Sequence, residues 1–92
     1  MNIFDLEVAK RVRLFRIYIR YSQKEFAELL NLPYPTYNGY ENGYHSFPLS
    51  VLGDISLIFK IPVDYFFGFY KNSVFDLFDH IDKKILFKKG DL

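Results

Sequence analysis

The segment SQKEFAELLNLPYPTYNGYENG, residues 22–43, carries the local signals of two helices joined by a short turn. Ser22 and Glu25 match a capping box, in which each side chain accepts a hydrogen bond from the other residue's backbone N–H. A short helix is therefore predicted to begin at Gln23. Asn31 is predicted to end it, because Asn tolerates the left-handed conformation found where helices terminate. The side chains expected to point inward from this helix are Phe26, Ala27, Leu29 and Leu30.

Two prolines mark the start of the next helix. Pro33 and Pro35 are tolerated only in a first helical turn, where their missing N–H groups have no intrahelical partner. Tyr34 precedes a proline and is disfavoured in helical conformation, so the helix is expected to start at Pro35. It is predicted to run to about Asn42, with Gly43 terminating it.

Amphipathic helices are predicted on both sides of this segment. A long helix from about Asp5 to Arg20 has an apolar stripe at helical spacing, formed by Val8, Val12, Phe15 and Ile19. Pro48 opens another helix, whose inward residues are expected to be Leu49, Leu52, Ile55 and Phe59. A short helix over Val63–Phe67 follows, closed by Gly68. A last helix from Asn72 or Ser73 carries the stripe Val74, Leu77, Phe78, Ile81 and Ile85.

Composition and charge exclude several classes of function. The 92 residues have no Cys and a net charge of +1, which removes thiolate chemistry and gives no strong overall nucleic-acid signature. The apolar runs are too short to span a bilayer and the first residues do not resemble a signal peptide, so a cytoplasmic protein without membrane contact is expected. Six basic residues and no acidic ones lie between positions 10 and 24, which predicts a positive field at one end of the molecule.

The order of these elements resembles that of the Cro/C1-type (XRE family) helix-turn-helix proteins. The resemblance is carried by RVRLFR (11–16), SQKEFAELLNLP (22–33), TYNGYENG (36–43) and FPLSVLGDISLIFKIPVDYFFG (47–68). It implies an all-α, lambda repressor-like domain of five helices over residues 5–68. Residues 69–92 are then a C-terminal helical extension, predicted to pack on the domain or to dimerise it.

The resemblance also implies roles for individual residues. Arg16 and Glu41 match the family's buried salt bridge, and each would need the other because an unpaired buried charge is costly. Gln23 matches the residue that directs the second helix at a DNA phosphate, and Lys24 beside it adds positive charge. The further positions expected to contact DNA phosphates or bases are Tyr34, Pro35, Thr36, Asn38, Gly39, Asn42, Tyr44 and His45.

The third helix carries few groups that read bases. Among its groove-facing positions only Asn38 offers the bidentate amide that recognises adenine. Tyr34 is expected to pack on a thymine methyl group or to donate to a phosphate, and Gly39 to let the backbone approach the bases. Tyr37 and Tyr40 fall on inward positions and are interpreted as core residues. Modest base specificity is therefore expected, with phosphate contacts and DNA shape supplying much of the affinity.

Two functions remain open at this stage. One is a sequence-specific transcriptional regulator, of repressor type, that binds double-stranded operator DNA as a homodimer through the second and third helices. The apolar stripe of the last helix is the candidate dimerisation surface, or it packs on its own domain. The other is a protein-interaction module on the same fold, an antitoxin-like or antirepressor partner, which the uncharged Tyr34, Pro35, Gly39 and Tyr44 surface favours. No catalytic arrangement, cofactor motif or metal-ligand spacing is found, and Asp76, Asp79 and Asp82 are interpreted as a solvated helix flank.

Overall fold

The computed structural model describes residues 2–67, and this range is all-helical, without a strand. Its elements are α1 (Ile3–Tyr18), α2 (Gln23–Leu29), α3 (Tyr34–Glu41), α4 (Leu49–Phe59) and a 3-10 helix (Val63–Phe67). The expected count of five α-helices is not confirmed, because the element over Val63–Phe67 is a 3-10 helix. Gly68 and the predicted last helix, with its stripe of Val74, Leu77, Phe78, Ile81 and Ile85, lie outside the described residues.

The caps predicted from the sequence are present. The Ser22 hydroxyl accepts from the Glu25 N–H at 3.0 Å, and a Glu25 carboxylate oxygen accepts from the Ser22 N–H at 2.9 Å. Asn31 has a φ of 55° and Gly43 a φ of 82°, so both adopt the left-handed conformation that follows a helix. α1 starts before the predicted Asp5 because the side chain of Asn2 caps it, accepting from the Asp5 N–H at 2.8 Å.

The predicted start of α3 at Pro35 is wrong by one residue, since the helix includes Tyr34. Pro33 is the N-cap, with the extended ψ of 141° expected before a helix. Pro35 then lies in the first turn, where its missing N–H breaks no intrahelical hydrogen bond. The restriction on a residue preceding proline did not prevent Tyr34 from occupying the first helical position.

The core lies where α1, α2, α4 and the 3-10 helix meet, and aromatic rings dominate it. The Phe26 ring lies 5.8 Å from the Phe59 ring and 5.5 Å from the Tyr37 ring, and Phe15 and Phe59 meet edge to face at 5.2 Å. The α1 stripe of Val8, Val12, Phe15 and Ile19 is buried as predicted.

Two leucines predicted to point inward do not. Leu29 is 38% exposed and Leu49 is 68% exposed. Leu29 lies on the flank of α2, away from the face that Phe26 and Leu30 bury. Leu49 is the first residue of α4, and Val51 occupies the buried position instead. Within residues 2–67, no helix is both long and apolar enough to cross a membrane.

Candidate nucleic-acid interface

A buried ion pair fixes α3 against α1. The Arg16 guanidinium donates from Nε to Glu41 Oε2 at 2.9 Å and from Nη2 to Glu41 Oε1 at 2.8 Å. The two side chains are only 11% and 1% exposed. Arg16 also donates to the backbone carbonyl of Tyr21 at 2.7 Å, which ties the turn before α2 to the same group. The resulting bidentate geometry holds three segments of the chain in one orientation.

Four hydrogen-bond donors satisfy the Glu41 carboxylate. Besides the two from Arg16, Tyr37 Oη donates to Oε2 at 2.5 Å and Gln23 Nε2 donates to Oε1 at 3.0 Å. Burial alone would raise the pKa of Glu41, but the hydrogen bonds from Arg16, Tyr37 and Gln23 outweigh it and lower that pKa. Burial and the adjacent carboxylate raise the pKa of Tyr37 well above its ordinary value. Glu41 therefore stays ionised and Tyr37 keeps its hydroxyl proton.

Three polar side chains form a line on one face of α3. Tyr34, Asn38 and Asn42 are four residues apart in succession, a spacing that places them one above the other. Gln23 of α2 lies beside this line. Its Oε1 atom accepts from Asn38 Nδ2 at 2.9 Å and from Tyr34 Oη at 3.3 Å. Asn42 Nδ2 in turn donates to Asn38 Oδ1 at 3.0 Å.

Positive charge beside this face is limited. Lys24 is exposed, and its Nζ lies 5.9 Å from the centre of the Tyr34 ring. Among the six basic residues between positions 10 and 24, Arg16 pairs with Glu41, and Arg11 pairs with Glu7 at 3.2 Å. The other four are exposed: Lys10, Arg13, Arg20 and Lys24. The predicted positive field is therefore weaker than the count of basic residues suggested.

The loop after α3 covers part of the surface expected to meet DNA. The Tyr44 and His45 N–H groups both donate to the Gly39 carbonyl, at 2.9 and 3.3 Å. Gly39 is buried, and a Cβ added to it would lie 3.4 Å from His45 Cδ2. The loop therefore lies against Gly39, and the close approach of the Gly39 backbone to the bases stays a prediction.

The remaining predicted positions lie at the surface. Pro35 and Asn42 are exposed and Thr36 is half-buried, in the first and last turns of α3. In the loop that follows, Tyr44 is 73% exposed and His45 is also exposed. Within residues 2–67 no group of three His, Asp or Glu side chains is arranged to hold a metal ion.

The sequence interpretation missed that Gln23 and Tyr37 hold Glu41. Tyr37 was assigned to core packing, which its ring does, but its hydroxyl also donates to the carboxylate. The spacing of four residues between Tyr37 and Glu41 was a usable signal, since such pairs share a helix face. No local signal linked Gln23 to Glu41, because they lie on different helices.

Comparisons with known proteins agree with this geometry. The helix-turn-helix family profile matches residues 15–66, from the second half of α1 to the 3-10 helix. Proteins named "uncharacterized HTH-type transcriptional regulator" from Sinorhizobium medicae (strain WSM419) and Rhizobium meliloti (strain 1021) are each 35% identical over 66 residues. The match covers 72% of this chain and 48% of each relative, so the chain spans about half the length of the curated relatives it matches. No solved structure matches the chain.

Proposed function

Because this chain belongs to the Cro/C1-type helix-turn-helix family, we propose that it binds double-stranded DNA and regulates transcription. The proposed contact surface comprises Gln23 and Lys24 of α2 and the line of Tyr34, Asn38 and Asn42 on α3. The observation that carries the proposal is this line of hydrogen-bonding side chains, in which Tyr34 and Asn42 are exposed and Asn38 is half-buried, held against the buried Arg16 and Glu41 pair. A face of α3 that offers amide groups and is positioned by α1 suits insertion into a major groove.

The proposed contacts divide into two kinds. Lys24 and the remaining Nε2 hydrogen of Gln23 are suited to phosphate oxygens, which fix the register of the protein on the duplex. Asn38 is the candidate for base readout, and the exposed ring of Pro35 is suited to a thymine methyl group. Thr36, Asn42, Tyr44 and His45 are the candidates for further backbone contacts. Because few cations lie at this surface, affinity should fall only moderately with salt.

We further propose that the protein acts as a repressor and as a homodimer on a two-fold symmetric operator. A single domain with so few cations should bind weakly, and a dimer presents two α3 helices about one DNA turn apart. The candidate dimerisation stripe is Val74, Leu77, Phe78, Ile81 and Ile85. In the described part, α1 has an exposed apolar flank that includes Leu6, Leu14 and Ile17.

The homodimer is tested by sedimentation equilibrium of the full chain and of Leu77→Asp. A monomeric but folded variant supports dimerisation through the stripe. An unchanged dimer refutes the role of the stripe, and a wild-type chain that is monomeric alone and on DNA refutes the homodimer.

The proposed activity is DNA binding in the cytoplasm, without catalysis, a cofactor or a membrane.

A second candidate function is a protein-interaction module, antitoxin-like or antirepressor, that uses the same α3 surface. It is favoured by the exposed ring of Tyr44, 73% accessible, in a loop without Lys or Arg. The two candidates differ in salt dependence, since binding to DNA releases counterions whereas binding through aromatic rings does not.

Fluorescence anisotropy with a random-sequence duplex library and a non-specific duplex, at two salt concentrations, tests the proposal. Salt-dependent binding that enriches a symmetric site is expected. Lys24→Ala should weaken binding to all duplexes, whereas Lys60→Ala, which removes the same charge at the end of α4, should have less effect. Absence of binding at low salt refutes DNA binding and favours a protein partner. Equal effects of the two lysine variants refute the proposed contact surface.

A further inference from the structure

A continuous chain of side-chain hydrogen bonds joins the buried ion pair to the exposed face of α3. It runs from Glu41 to Gln23 at 3.0 Å, from Gln23 to Asn38 at 2.9 Å and from Asn38 to Asn42 at 3.0 Å. We call these four side chains the amide relay. Its inner end is a buried carboxylate and its outer end is an exposed amide, so it connects the scaffold to the proposed DNA surface.

The chemistry of Glu41 fixes the direction of every bond in the relay. An ionised carboxylate only accepts hydrogen bonds, so Gln23 must present its amide nitrogen to it. The Gln23 carbonyl oxygen then faces outward, and Asn38 must present its own nitrogen to that oxygen. The Asn38 oxygen is left to accept from Asn42. Turning the Asn38 amide over would bring two oxygens together and two NH₂ groups together, which loses both hydrogen bonds.

This orientation determines what Asn38 offers to DNA. One of its two N–H groups is used by Gln23 and one oxygen lone pair by Asn42, so one donor and one acceptor remain. Adenine presents one acceptor, N7, and one donor, the N6 amino group, in the major groove. Guanine presents two acceptors, N7 and O6. An Asn38 amide with a single remaining N–H therefore matches adenine and leaves one guanine acceptor without a partner.

We propose that Glu41, acting through Gln23, holds the Asn38 amide in the orientation that selects adenine over guanine at one base pair. Glu41 and Gln23 are positioning residues in this scheme, and Asn38 makes the base contact. The proposal rests on the proposed binding of DNA by α3. In the same arrangement the Tyr34 hydroxyl donates its only proton to Gln23 Oε1. While that bond is made, the hydroxyl can act toward DNA only as an acceptor.

The test changes Gln23 in two ways and measures base preference. Gln23→Leu removes both halves of the relay. Gln23→Lys keeps a donor for Glu41 but gives Asn38 no acceptor, so it interrupts only the outer half and leaves the buried carboxylate satisfied. A site is selected from a random duplex library with the full wild-type chain. Dissociation constants are then measured on paired duplexes that carry adenine or guanine at the position whose preference Asn38→Ala abolishes.

Wild type should prefer adenine roughly fivefold or more, the lower range for a bidentate amide contact. Both Gln23 variants should reduce this ratio to about twofold or less, as expected when the contact is no longer oriented. The control Lys24→Ala should weaken binding to both duplexes by the same factor and leave the ratio unchanged. Two results overturn the proposal while DNA binding stands. One is full adenine preference in both Gln23 variants. The other is that Asn38→Ala changes the base preference at no position of the selected site.

A measurement on the free protein tests whether the amide relay exists, independently of DNA binding. The side-chain NH₂ resonances of Asn38 in ¹⁵N-labelled protein should shift in both Gln23 variants relative to wild type. Unchanged resonances overturn the relay itself, whatever the protein binds. No binding of wild type to any duplex at low salt overturns the proposed function, and the base-selection role of the relay with it.

Discussion

The ion pair between α1 and α3 leads to a quantitative prediction about stability. Glu41→Leu leaves the Arg16 guanidinium, only 11% exposed, without its anion. It also removes the acceptor for the Tyr37 hydroxyl and for Gln23 Nε2. Breaking one side of such a buried pair costs about 3–5 kcal/mol. For a domain of this size that corresponds to a fall in Tm of roughly 12 °C or more.

The double variant Arg16→Met/Glu41→Leu should be far less destabilised than the sum of its parts. Replacing both charges with apolar side chains removes the unpaired ion. The remaining losses are the acceptor for Tyr37 and for Gln23 and the donor to the Tyr21 carbonyl, about 1 kcal/mol each. We therefore expect the double variant to lose about 3 kcal/mol of unfolding free energy, whereas the losses of the two single variants sum to about 6 kcal/mol or more.

Urea denaturation followed by far-UV circular dichroism at pH 7 measures these free energies of unfolding. The four proteins compared are wild type, Arg16→Met, Glu41→Leu and the double variant. Equal m-values among them would show that all four unfold between comparable states. Single variants that each lose less than about 1 kcal/mol would refute the reasoning, because such small losses are typical of exposed pairs. A double variant whose loss equals the sum of the single losses would also refute it, since it would show no coupling between the two residues.

Two further predictions concern acid stability and glycines. Because the folded-state pKa of Glu41 lies below its ordinary value of about 4.5, its contribution is present above that pH and should be lost as pH falls through the lower, folded value. The free energy of unfolding measured from pH 6 to pH 3 should therefore fall more steeply for wild type than for Glu41→Leu, and parallel curves would contradict this. Gly53→Ala should stabilise α4 by up to about 1 kcal/mol, because the added Cβ meets nothing within 4 Å. Gly43→Ala should instead destabilise, since its φ is 82°, and thermal unfolding that shows the same sign for both variants would be inconsistent with this conformation.

Helix caps and helix-ending residues, whose sequence signals lie within a few residues of each other, were predicted correctly. The Ser22 and Glu25 capping box and the left-handed residues Asn31 and Gly43 were all read from the sequence, because each depends on neighbours a few residues away. The stripe of α1 was also predicted, since helical periodicity repeats it along the whole element. The misassigned residues lie at helix ends: Leu29 and Leu49 are terminal residues whose exposure depends on how the helix packs.

The candidate site was predicted only in part. The line of Tyr34, Asn38 and Asn42 follows from their spacing once α3 is assigned, and the pairing of Arg16 with Glu41 was implied by the family resemblance. The burial of Gly39 was not predicted, because it depends on the path of the loop that carries His45.

The sequence by itself determined where the helices of residues 2–67 lie and which family the chain resembles, because caps, prolines and periodicity act locally. Only the tertiary structure decided which hydrogen-bond partners the polar side chains of the interface have and which way their amides face. Gln23 is separated from Glu41 and Asn38 along the chain, so no periodicity places the three side chains together. Packing of α1, α2 and α3 brings them within hydrogen-bonding distance. There the acceptor-only carboxylate determines which way each amide faces.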